Sequence, residues 1–214
     1  MPEKEDIIKA SDHLFYEIKQ LDALAQILVY IRTLDINHGG LENKSQKSIH
    51  IEAIKNAVLE AFLMHTRSIL DFLFTEESKN KDDVLSLHFL ERKEDIKEMK
   101  KIRSKIISEK EYHSIKRRIN KEIVHLTYYR INIDEIDKRW EYLKIRDIVL
   151  RACLVCYKFS NKDLLKTVVN QYLEKHLELY RHEIEGVFNS NEATTYTSAT
   201  PEIFVAKIKY PRNK

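Results

Sequence analysis

Glycine and proline each occur only three times in 214 residues, and two of the prolines, Pro201 and Pro211, stand near the C-terminal end. A sheet protein needs frequent Gly, Asn or Pro turns between its strands, so this scarcity directs the chain to an all-α fold. Apolar spacing agrees. Leu14, Ile18, Leu21, Ala25, Leu28 and Ile31 recur at intervals of three and four, which is one face of a helix. That helix is expected from about Lys4 to Ile36, stopped by Gly39-Gly40. A second, over about Ile49–Phe74, is apolar nearly all round and is expected to be the central, buried helix.

After a charged break at Thr75–Asp83, a short helix is expected over Val84–Leu90 and one or two helices over Lys93–Tyr129, with a kink near Ser108. Asp134 is placed to cap a helix over about Glu135–Phe159, and Asn161 to cap a last long helix ending near Ile184. From Gly186 the chain turns polar. The expected organisation is a bundle of about five long helices over residues 1–186 and a flexible or extended tail over 187–214, in which Ile203, Val205 and Ile208 are weakly strand-like.

With 43% hydrophobic and 33% charged residues, the composition is that of a globular chain with a substantial core, not a disordered or membrane-embedded one. Charged Met1–Glu5 is not followed by a signal-like apolar run. The longest apolar candidate, Ala57–Phe74, is interrupted by Glu60, His65, Arg67 and Asp71, so no bilayer span is expected. Cys153 and Cys156 form a lone C-x-x-C with apolar Leu154 and Val155 between them. On a helix these thiols share a face and are expected to be reduced core residues, which places the chain in the cytoplasm.

Net charge is only +3, but Glu91–Lys121 holds twelve Lys/Arg against six Asp/Glu. Such local excess is an electrostatic footprint for a polyanion and equally the pattern of a solvated helix face. Two constellations carry more chemistry. In the second helix Arg67 and Asp71 stand four apart, with Glu60 seven before Arg67; charges in so apolar a segment need partners, so the three form either a lock between helices or the wall of a polar site. Further on, Arg118, Glu122 and His125 share a face over almost two helical turns, while Ile119, Ile123 and Leu126 line another that packs inward. A guanidinium neutralises phosphate through bidentate contacts and an imidazole moves a proton near neutral pH, a pairing suited to phosphodiester chemistry. Glu122 is placed to orient His125 or to pair with Arg118.

An Arg followed a few residues later by His on a helix of a small bundle resembles the mark of the HEPN superfamily. The match here is Arg118 to His125 with six residues between, and Ile119 stands where the family usually has a polar residue, with Asn120 following. The blocks Glu60–Phe72 and Ile119–Arg130 also resemble segments found in the same order in a set of uncharacterised bacterial helical proteins. The superfamily resemblance implies metal-independent RNA cleavage of a toxin or phage-defence type, with Arg118 and His125 catalytic, Glu122 supporting them, and the site formed where two protomers meet. Lys116, Arg117, Asn120 and Lys121 would then contact RNA, and an antitoxin or other protein would be a partner. The competing expectation is a non-catalytic helical module that binds a protein.

A metal centre is not expected. Glu122-x-x-His125 is half of a helical di-iron motif, but no second Glu-x-x-His exists, and Asp35-x-x-His38, the nearest, sits at a helix end. No cofactor is expected either: Gly-rich phosphate cradles and a nucleophile elbow are missing from the sequence.

Overall fold

In the computed structural model, residues 2–37, 46–77, 80, 82–124, 139–189 and 206–207 are described. The fold is all-α. Helices α1 (Lys4–Asn37) and α2 (Gln46–Phe74) are followed by a 3₁₀ turn at Ser86–Phe89, then α3 (Lys93–Ile106), α4 (Glu109–Ile119), α5 (Tyr142–Phe159), α6 (Thr167–Leu179) and α7 (Arg181–Asn189). The one strand pairing among the described residues is two residues long: β1 (Arg139–Trp140) lies antiparallel to β2 (Ala206–Lys207).

Helix α1 buries Ile7, Ser11, Ile18, Leu21, Ala25, Leu28 and Ile31, the stripe expected from a 3.6-residue period. It packs lengthwise on α2, and a short connection makes the two antiparallel neighbours. His65 Nδ1 lies 2.8 Å from Glu17 Oε2 at the middle of this hairpin.

The central helix is not α2. In α2 the first buried side chain among the described ones is Leu59, and residues 50–58 are only partly covered or exposed. Leu63 and Leu70 are fully buried, as expected, but every residue from Val149 to Tyr157 of α5 is buried. That helix is in contact with α1, α2, α3 and α6. Apolar composition alone misjudged this, because α2 keeps alanines and Ile54 on an outward face.

Ser108 does break the basic segment. Its hydroxyl accepts from the Glu111 amide at 3.2 Å while the Glu111 carboxylate accepts from the Ser108 amide at 2.9 Å, a reciprocal cap that starts α4 afresh. Two boundaries differ from expectation. Arg139 and Trp140 are extended rather than helical, so α5 starts at Tyr142, and the last long helix is divided at Tyr180. Asn161 caps the 3₁₀ turn Lys162–Leu164, accepting from the Asp163 amide. Gly186 sits inside α7, because Val187 is buried beyond it and Phe188 stacks on Phe159 with centroids 5.8 Å apart.

Candidate functional site

Helix α4 presents Tyr112 and Ile119, two turns apart, to the core. At Asn120 its hydrogen bonding widens into a π-helical turn over Asn120–Val124, a local unwinding often associated with functional sites. Arithmetic based on 3.6 residues per turn therefore ends at Ile119. Ile119 is fully buried and Ile123 packs against the core, as the inward face requires; Leu126 lies outside the described residues.

Arg118 and Glu122 meet across this transition. Arg118 Nε donates to Glu122 Oε1 at 2.6 Å, and Nη2 to Oε2 at 3.4 Å. The Trp140 indole N–H donates to the same Oε2 at 3.1 Å, and the guanidinium carbon lies 3.8 Å from the Trp140 ring centroid. Side-chain exposure is 1% for Glu122 and 29% for Arg118. A buried carboxylate thus receives an ion pair and an indole donor, the compensation that burying a charge requires. Glu122 pairs with Arg118, one of the two roles expected of it. His125 lies outside the described residues.

The four expected RNA contacts separate. Arg117 and Lys121 are exposed. Lys116 does not project as expected: its ammonium donates to Asp71 Oδ1 at 2.5 Å and to the Tyr112 hydroxyl at 3.2 Å. Burial draws the Lys116 ammonium down, but these hydrogen bonds outweigh it and hold its pKa above the ordinary lysine value. Asn120 is half-buried, and its Oδ1 is buried with no hydrogen-bond partner.

Asp71 is the hub of a second cluster. It accepts from Tyr112 at 3.2 Å as well as from Lys116, and Arg67 Nε stands 3.8 Å from its other oxygen. Arg67 and Asp71 keep 30% and 33% side-chain exposure, so they are half-buried rather than enclosed. Glu60 is exposed on α2 and joins neither cluster. The lock between helices is therefore Asp71 to α4, with Tyr112 held in place by stacking on Phe74 at 4.5 Å.

Three further residues take part that no sequence pattern marks. Trp140, expected inside a helix, carries one signal: a lone indole needs a hydrogen-bond acceptor once buried. Arg103 is buried beside Met99 and Ile102; its guanidinium donates to the Leu73 carbonyl and lies 4.0 Å from the Phe74 ring centroid. It satisfies an end carbonyl of α2, whose last turn has no basic residue of its own. Lys162 sets its ammonium over the Tyr157 ring, 3.6 Å from the centroid, and burial lowers its pKa to about 8. The thiols of Cys153 and Cys156 are free and buried; burial pushes Cys156 up to about 11 and Cys153 well above its ordinary value.

Among the described residues, no group of three or more His, Cys, Asp or Glu side chains converges in a way that would hold a metal ion, and no helix is long and apolar enough to cross a membrane. Fold and site together define an all-α helical bundle in which half-buried Arg118 meets buried Glu122 and Trp140 at the end of a basic helix. No protein-family model matches the chain, and neither a curated protein nor a solved structure matches it.

Proposed function

We propose that the protein is a HEPN-like, metal-independent RNA-cleaving or RNA-binding protein of a toxin or phage-defence type. The observation that supports this reading is the setting of Arg118. Its guanidinium is oriented by Glu122 and Trp140, its side chain is 29% exposed, and it follows the exposed Lys110, Ser114 and Arg117 of α4, with exposed Lys121 in the π-helical turn beyond. Residues spaced four and seven along a helix share a face, so Lys110, Ser114 and Arg117 track a phosphate backbone while Arg118 meets one phosphate. A ribose 2′-hydroxyl attacks that phosphate and the bond to the 5′-oxygen breaks. His125 moves the proton, taking it from the 2′-hydroxyl or giving it to the departing oxygen, and Arg118 stabilises the charge that develops on phosphorus-bound oxygen. The products are a cyclic phosphate and a 5′-hydroxyl. The test is cleavage of mixed RNA by purified protein in excess EDTA. Activity that is lost in His125→Ala supports the reading; activity that requires a divalent ion, or survives that substitution, refutes the mechanism.

A second reading rests on the same pair. Glu122 neutralises Arg118 within the bundle, which suits a structural lock in a module that binds a protein rather than RNA. RNA binding that weakens steeply with salt would discriminate against it, since phosphate contacts release counterions.

A further inference from the structure

One side of the α1–α2 hairpin is exposed, apolar and almost free of charge. On α1 it consists of Tyr16, Ala23, Ile27 and Tyr30, and on α2 of Ile54, Ala57 and Met64 with half-buried Ala61 among them. Exposure of its large side chains is high: Tyr30 64%, Ile54 57%, Tyr16 54%, Ile27 43% and Met64 41%. Spacings of seven, four and three on α1, and of three, four and three on α2, put each set on one helical face. The two faces adjoin, because Tyr16 packs edge-on against His65 with centroids 5.7 Å apart.

Only two exposed charges flank this patch between Tyr16 and Tyr30 and between Ala53 and Met64, and they have opposite sign. Lys19 lies on the α6 side, its ammonium 5.2 Å from the centroid of Phe15, which itself packs on Tyr172 of α6. Glu60 lies on the opposite side, seven residues before Arg67 and so on the face that turns towards α4; it has no ion pair among the described residues. The helices run antiparallel and Tyr16 sits beside His65, so Lys19 falls level with position 62 of α2. Glu60 is within about 3 Å of that height at 1.5 Å per residue.

We propose that this face is where two copies of the chain pair, with α1 of one protomer over α2 of the other about a two-fold axis parallel to the helices. That operation exchanges the two rims, so Lys19 meets the partner's Glu60 and Glu60 meets the partner's Lys19, while Ala23, Ala57 and Ala61 let the backbones approach. A face with one cation on one rim and one anion on the other at the same height is complementary to itself, as an isologous interface must be. The patch spans about 20 Å along two helices of about 10 Å diameter. That is at the low end of specific interfaces, the size of weak and transient pairs. The inference stands independently of RNA chemistry.

The test is sedimentation equilibrium of the full chain with charge-reversal variants. Lys19→Glu and Glu60→Lys are each expected to weaken the dimer about tenfold, since two symmetric rim pairs turn repulsive. The double variant K19E/E60K is expected to recover most of the loss, and Ile27→Asp to abolish association, with circular dichroism unchanged in all four. A wild-type monomer throughout the high micromolar range overturns the proposal. So does a dimer indifferent to these substitutions, which would use another face, or a double variant no better than the singles. RNA cleavage assayed on the same samples separates the two readings: a dimer indifferent to these substitutions that cleaves RNA sinks this interface and leaves the function standing.

Discussion

The indole N–H of Trp140 donates at 3.1 Å to the carboxylate of Glu122, eighteen residues earlier, and the face of the same indole carries Arg118. One aromatic ring thereby orients both members of the ion pair that ends α4.

Loss of the Glu122 charge should unsettle that arrangement measurably. Glu122→Gln is expected to cost about 1–2 kcal/mol and Glu122→Ala about 3 kcal/mol, below the full cost of breaking an enclosed pair because Arg118 is partly solvated. Urea denaturation measures the cost. Trp140 is the only tryptophan, so its emission should shift in both variants; unchanged emission and midpoint would mean that the carboxylate does not hold the ring.

Asp71 joins α2 to α4 through Lys116 and Tyr112. Asp71→Asn should cost about 1–2 kcal/mol, and a double-mutant cycle with Lys116→Met should show coupling of about 0.5–1 kcal/mol, the range of a half-exposed pair with hydrogen bonds. A coupling of zero would place the link elsewhere.

The two cysteines should be silent in the native protein. Burial keeps Cys156 near 11 and Cys153 well above its ordinary value, so little thiolate exists at pH 8. Ellman's reagent is expected to find no rapidly reacting thiol until denaturant is added, and then two. Rapid reaction of either thiol in the native protein would contradict their burial.

Lys162 gives a pH dependence of definite sign. Burial lowers its ammonium to about 8 from 10.5, despite nearby Glu174. Between these values the unfolded chain binds the extra proton, so the cost of burying the charge is complete below pH 8 and is relieved as pH rises. Wild type should gain stability relative to Lys162→Met between pH 7.5 and 9.5, modestly because the lysine stem is exposed. Parallel stability curves over that interval would show that Lys162 titrates normally.

Local interactions made much of this legible in the sequence. Helical spacing in α1 predicted its buried stripe, Ser108 marked the break between α3 and α4 because its cap lies within three residues, and Arg118 and Glu122 met because residues four apart share a helix face. Each of these follows from chain geometry over a turn or two. The sequence by itself thus determined an all-α fold, the approximate positions of several helices and one half of the candidate site. Only tertiary structure decided that α5 is the central helix, that Trp140 closes over Glu122, that Lys116 turns from solvent to Asp71 forty-five residues away, and that Arg103 satisfies the end of α2. Periodicity states which face of a helix is apolar, but not which neighbour covers it. That choice depends on how all the helices together best bury apolar surface while leaving no carboxylate or carbonyl without a donor.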